Sequence, residues 1–216
     1  MGIISQGILG ALRKKVGSVV GASWKGIPVL RIYQPVVANP KTAAQVRVRS
    51  GFKAFGQLAS LILASYIKPL WDRGAVRMSG YNAFLKANAL SISGNLSPYD
   101  THFIATKGKM DATTIATAAV SPAAIEVTWN ATEKSRYALD SDLPFVLVVN
   151  STNDNVMFAG QAPEGTTRES GTLSIPAASF LNGSTGNDNV CVYLSFMRAD
   201  GTIVSDSAYK DVVVGA

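Results

Sequence analysis

Nine cations crowd the first fifty-three residues: Arg13, Lys14, Lys15, Lys25, Arg31, Lys41, Arg47, Arg49 and Lys53, with the aromatic rings of Trp24 and Tyr33 interspersed. Such a set can meet phosphates, each contact releasing a counterion and adding salt-dependent affinity. The rings can stack on bases. The same cations can equally face an acidic protein surface. That second use is favoured, and it makes the basic set an assembly surface toward neighbouring copies. Nucleic acid is the alternative partner.

The wider charge pattern points the same way. Residues 1–99 hold thirteen Lys and Arg against one acid, Asp72, for a net +12. Residues 100–216 hold seven against thirteen, for −6. A half with one acid cannot neutralise its own cations, so an outside anion or the acidic half must do it. Charged residues make up only 16% of the chain and apolar residues 47%. That balance suits a subunit that buries surface against other chains.

Reaction chemistry has few candidates. One histidine, His102, and one cysteine, Cys191, leave no disulfide within the chain, no histidine metal cage, and no Ser-His-Asp triad or Cys-His pair beyond a single combination. Gly7-Ile8-Leu9-Gly10 and Gly17-Ser18-Val19-Val20-Gly21 lack the Gly-Lys-Ser/Thr of a phosphate loop. Asp140-Ser141-Asp142 and Asn153-Asp154-Asn155 lack calcium-loop spacing and read as solvated turns. Glu126, Glu133 and Glu164 show no acid–base pairing. The expectation is therefore no enzyme, no cofactor, no metal and no small-molecule substrate, with Cys191 a buried core thiol. The N-terminus runs apolar then basic, the reverse of a secretory signal, and the apolar run is too short to cross a bilayer, so no membrane partner is expected. Met1 is expected to dock within the fold or on another subunit.

These residues need elements to position them. Two β-rich runs flank Lys25-Gly26 over residues 16–34, which signals a hairpin with Gly26 at positive φ. Pro28 belongs on an open edge or just inside the second strand. A long helix follows from Thr42 to about Ile67, capped by Thr42 or by Asn39 with Pro40. Its first half is amphipathic and basic. Its second half, from Leu58 to Ile67, is apolar nearly all round and should be buried. Gly51 and Gly56 permit close helix contact. Pro69 ends the helix, and a second helix over 79–90 is capped by Ser79, with Tyr81, Phe84 and Leu85 packed inward.

Composition changes at residues 94–101, which divides the chain into a basic α+β region, 1–99, and an acidic β region, 100–216. Strands are expected at Phe103–Lys107, Thr113–Val120, Ile125–Trp129, Phe145–Asn150, Val156–Ala159, Gly171–Ile175, Val190–Phe196 and Val204–Val214, with turns at Ser121-Pro122, Asn182-Gly183 and Asp200-Gly201. About seven short strands in that length favour an all-β sandwich.

Two resemblances add to this reading. Residues 124–129, with Trp129, resemble the second strand of a fibronectin type III domain, an Ig-like sandwich without the antibody disulfide. The Tyr193 segment resembles that fold's penultimate strand, which implies an inward Tyr in the sandwich core. The whole chain also resembles an uncharacterised family of gut and aquatic Bacteroidota and their phages. The carrying residues are Gly17-Ser18-Val19-Val20-Gly21, Ser23-Trp24-Lys25-Gly26, Ala38-Asn39-Pro40-Lys41-Thr42-Ala43-Ala44-Gln45, Arg49, Phe52 and Trp129. Ile4-Ser5-Gln6-Gly7 at the start, and Gly201 with Ser205-Asp206-Ser207-Ala208-Tyr209 near the end, fit as well. The resemblance implies no activity; it suggests a structural protein of a phage virion, in a capsid or tail, whose partners are copies of itself or other virion proteins. The expected location is the virion, or else the cytoplasm.

Overall fold

In the computed structural model the described residues are 2–3, 12–89, 102–121, 123–132, 137–153, 155–181 and 188–213. The Gly7–Gly10 run, the opening Ile4-Ser5-Gln6-Gly7, the docking of Met1, the junction 94–101, Pro122, Glu133, Asp154 and the Asn182-Gly183 turn lie outside them. Packing divides the chain into Met1–Val46 and Arg47–Ala216. The change of composition at residue 99 is a different boundary. The two helices of the basic half share a core with the acidic half's strands, because their apolar faces need a sheet to cover them.

The first unit is an antiparallel sheet of β1 (Gly2–Ile3), β2 (Lys14–Val16), β3 (Val19–Trp24) and β4 (Ile27–Ile32), in the order β1-β4-β3-β2. The expected hairpin is its centre. Lys25 and Gly26 both take positive φ, 45° and 81°, the twist that a two-residue turn between right-twisted strands requires. Pro28, one residue inside β4, pairs with Ser23. A second hairpin turns at Gly17, φ 61°, and adds β2.

The second unit begins in α1 (Ala43–Leu61). Thr42 caps it, its Oγ1 accepting from Gln45 N at 3.4 Å. The helix does not run on as one element. At Leu63–Ile67 it widens into a π turn, and both Tyr66 N and Ile67 N donate to the Ile62 carbonyl at 3.0 Å. It resumes as α2 (Lys68–Trp71). Pro69 therefore does not end the helix, because in a first turn its missing N–H costs nothing. The segment Leu58–Ile67 is not buried all round either. Leu58, Ala59, Ile62, Tyr66 and Ile67 are buried, whereas Leu61 is 55% exposed and Ala64 and Ser65 face solvent. The reason is that a single sheet covers only one side. α3 (Gly80–Ala87) starts at Ser79, whose Oγ accepts from Asn82 N at 3.3 Å. Phe84 is buried between Trp71 and Phe103, with ring centroids 5.7 Å from each. Among the described residues no helix is long and apolar enough to cross a membrane.

Seven strands follow: β5 (Ile115–Val120), β6 (Ala124–Trp129), β7 (Leu143–Asn150), β8 (Asn155–Gln161), β9 (Thr172–Pro176), β10 (Asn189–Met197) and β11 (Ala208–Val213). They form two antiparallel sheets, β11-β10-β7-β8 and β5-β6-β9. The larger sheet is buried on both faces. Phe145, Leu147, Val149, Cys191 and Tyr193 join the helices' cluster. Val146, Val148, Val192, Leu194 and Phe196 join the cluster of the smaller sheet, with Val127 and Trp129. Tyr193 thus faces the helical layer and packs 5.0 Å from Phe103. It does not fill the space between the sheets, where Trp129 meets Phe196 at 5.5 Å.

Residues 103–107 are not a strand. Their backbone is satisfied by side chains instead: Asn88 donates to the Ile104 carbonyl at 3.0 Å and accepts from Ile104 N at 2.8 Å, and Trp71 Nε1 donates to the Ala105 carbonyl at 2.9 Å. The strand expected over 204–214 is likewise split, with Val204 and Ser205 in isolated bridges to Met197 and Met110.

Candidate interaction surface

Directly paired residues of an antiparallel sheet project from the same face, and neighbours along a strand from opposite faces. Lys15 pairs with Val20, and Val20 with Arg31. These three form a row across β2, β3 and β4. The same face carries Ala22 opposite Val29 and Trp24 opposite Ile27. Tyr33, one residue beyond β4, joins the row, with the Lys15 ammonium 3.8 Å from its ring centroid. The other face holds a second row, Val16, Val19 and Ile32, with Leu30 and Pro28 beside it.

Val19 and Val20 of β3 and Ile27, Pro28, Val29 and Leu30 of β4 are half-buried. Among the described residues of this unit only Gly21 is buried. Trp24 is 52% exposed, Val16 54% and Ile32 78%. Gly21 is buried because Leu12 crosses it so closely that a Cβ there would collide with the Leu12 carbonyl. The extended stretch after the sheet keeps Val36 and Val37 exposed as well.

The structure brings Lys15, Trp24, Arg31 and Tyr33 to one sheet face. Lys14 falls on the opposite face, Lys25 sits in the turn beside Trp24, Arg13 precedes β2, and Lys41 lies just before α1; all four are exposed. Arg47, Arg49 and Lys53 are exposed on the first half of α1 and belong to the second unit. Measured by unit, the charge is sharply divided. Residues 1–46 carry six Lys and Arg and no acid, so the chain's net +6 resides there, and residues 47–216 balance fourteen cations with fourteen acids.

One polar centre has no counterpart in the sequence reading. Asp142 is not in a solvated turn; it is fully buried, with Arg168 1% exposed beside it. Arg168 Nε lies 3.3 Å from Asp142 Oδ2, which also accepts from Leu139 N at 2.9 Å. The guanidinium donates to Thr113 Oγ1 and to Met110 Sδ, and lies 3.9 Å over the Phe196 ring. The Arg168 carbonyl accepts from Trp129 Nε1 at 2.8 Å. Burial lowers the Arg168 pKa from its usual value, and the adjacent Asp142 opposes that shift. Asp142 Oδ1 has no hydrogen-bond partner among the described residues. The group ties the loops around β7 and β9 to the sandwich core. It is closed to solvent and offers no substrate access. Cys191 is buried, and burial pushes its thiol pKa up, which leaves it a poor nucleophile.

A model of DUF6266, described as a family of unknown function, matches residues 10–211. The match agrees with the resemblance to an uncharacterised family and is silent on its hosts and on an Ig-like half. No curated protein matches the chain. Among solved structures, the Clostridium perfringens spore cortex lytic enzyme SleM is similar at 18% identity, with a TM-score of 0.32. The likeness covers 50% of this chain and only 29% of that one. That neighbour is an enzyme, so the expectation that this chain is no enzyme is withdrawn. At such a TM-score the likeness supports no activity, substrate or site here.

Proposed function

The chain belongs to the DUF6266 family of unknown function, and we propose that it is a structural protein that assembles in multiple copies through its basic N-terminal half. One observation carries this reading: a four-stranded sheet in which, among the described residues, a glycine alone is buried, while Val16, Trp24 and Ile32 stand more than half exposed. So small a sheet gains stability only when something covers its apolar surface. A neighbouring copy supplies that cover. In the second unit, considered by itself, Phe52 and Leu61 of α1 are exposed apolar residues too. The setting proposed is a phage virion, capsid- or tail-associated, with other virion proteins as further partners. The family-like residues support it, and the location follows from it.

The sandwich of the second unit is proposed to be of the fibronectin type III, Ig-like kind. Its β11-β10-β7-β8 and β5-β6-β9 orders support this, since they place the seventh, sixth, third and fourth strands in one sheet and the first, second and fifth in the other.

Nucleic acid is the second reading, favoured by six cations and no acid in residues 1–46. Sedimentation of the full chain across concentration, with and without nuclease, tests both. Growth in size with concentration that survives nuclease supports assembly, and a monomer that shifts only with added nucleic acid supports the alternative.

A further inference from the structure

We infer that the sheet face carrying Lys15, Val20, Trp24, Val29 and Arg31 docks onto an acidic protein surface of a second copy of this chain, in a head-to-tail contact. The inference rests on the assembly reading above and names the partner of that surface.

The layout of the face is that of a protein interface. Val20, Ala22, Trp24, Ile27 and Val29 form an apolar centre. Lys15 and Arg31 stand at one end, and Lys25 lies at the other, in the turn after Trp24. An apolar middle with a charged rim is how such interfaces are built. A nucleic-acid platform interleaves rings and cations instead. Here Trp24 lies roughly 13 Å along β3 from the Lys15–Val20–Arg31 row, at about 3.3 Å per residue. The Tyr33 ring is occupied on one side by the Lys15 ammonium. A strand of phosphates laid along this face would desolvate over Ala22 and Val29 without meeting a cation.

Charge then selects the partner. Two copies of this face cannot pair with each other, because each unit carries six cations and no acid, and like charges would meet. All fourteen acids of the chain lie within residues 47–216. The anions that a second copy offers are therefore on its other unit. A contact between unlike surfaces is heterologous, so it propagates into rings or open filaments.

The test uses the full-length chain and sedimentation velocity. Lys15→Glu combined with Arg31→Glu removes the rim charge, and Lys15→Gln with Arg31→Gln is the milder version; circular dichroism checks that both fold. The expected result is assembly about tenfold weaker in roughly 500 mM than in roughly 50 mM salt, weaker again in the Gln variant, and lost in the Glu variant. The Glu variant keeps its acidic surface, so it should cap wild-type chains and shorten their assemblies when mixed in. A variant that stays outside wild-type assemblies points to a symmetric contact and overturns the inference. Assemblies indifferent to salt and to both variants overturn it too, while the assembly reading stands. Assemblies dissolved by nuclease mean that nucleic acid covers the face. A wild-type chain monomeric throughout removes both readings.

Discussion

The Arg168 guanidinium and the Asp142 carboxylate meet 3.3 Å apart at the edge of the sandwich core, both with essentially no solvent exposure. Breaking such a pair strands a buried charge, which costs far more than the pair itself contributes. Arg168→Met is expected to destabilise the fold by roughly 3–5 kcal/mol. Arg168→Met with Asp142→Leu should recover most of that loss, since neither charge then remains. Urea unfolding of the single and double variants, followed by tryptophan fluorescence, measures both. A double variant as unstable as the single would show that the pair's worth lies elsewhere.

Tyr66 gives the fold an alkaline limit. Its hydroxyl lies 3.2 Å from Ser195 Oγ, and complete burial raises its pKa well above the usual 10.0, against the lowering effect of that hydrogen bond. The folded chain thus holds its phenol proton more tightly than the unfolded chain does. The resulting stability is fully present below pH 10.0 and is lost as pH rises above it. Stability should fall steeply from about that pH. In Tyr66→Phe the slope should be shallower, although the variant starts lower by roughly 1 kcal/mol for the lost hydrogen bond. Equal slopes in the two proteins would assign the alkaline limit to another group.

Local chemistry was legible in the sequence, and long-range pairing was not. Lys25-Gly26 marked its turn because positive φ is demanded where the strands reverse. Ser79 marked α3 because a cap acts within three residues. Ile125, Val127 and Trp129 marked β6 by alternation. Asp142 and Arg168 are twenty-six residues apart, and nothing near either announces the other. The π turn left no trace, since it trades one backbone partner for another. The helical layer did leave one. Phe145 to Val149 is apolar at every position, the pattern of a strand covered on both faces, and Tyr193 points into that second cover. The basic residues were legible as a set, but their distribution over two sheet faces, a turn and α1 follows from register, which the sequence does not print.

Gly108 is a contact that tolerates no side chain. A Cβ there would collide with the Val204 carbonyl, which also accepts from Lys109 N at 3.0 Å. Gly108→Ala should push residues 106–110 off that segment and cost roughly 2–4 kcal/mol. Gly74→Ala is the control: the added Cβ would meet the Trp71 carbonyl oxygen at 3.9 Å, an ordinary contact, and its cost should stay within about 0.5 kcal/mol. Thermal melts of both variants decide. Equal melting temperatures would mean that the Gly108 segment gives way freely.

Val16 and Ile32 separate folding from assembly. They are 54% and 78% exposed, on the sheet face opposite Lys15. Val16→Ser with Ile32→Ser should leave the chemical stability of the second unit within about 0.5 kcal/mol of wild type. It should weaken association between copies at least severalfold. Light scattering beside urea unfolding reads the two effects apart. A variant that loses stability and keeps its association contradicts this assignment.

The most direct test is the mass of the full-length chain in solution by sedimentation velocity, as concentration rises into the range of about 100 μM, where even weak specific interfaces are occupied. The account predicts multi-copy species that grow with concentration and persist after nuclease treatment. A single 22.7 kDa species throughout would contradict it.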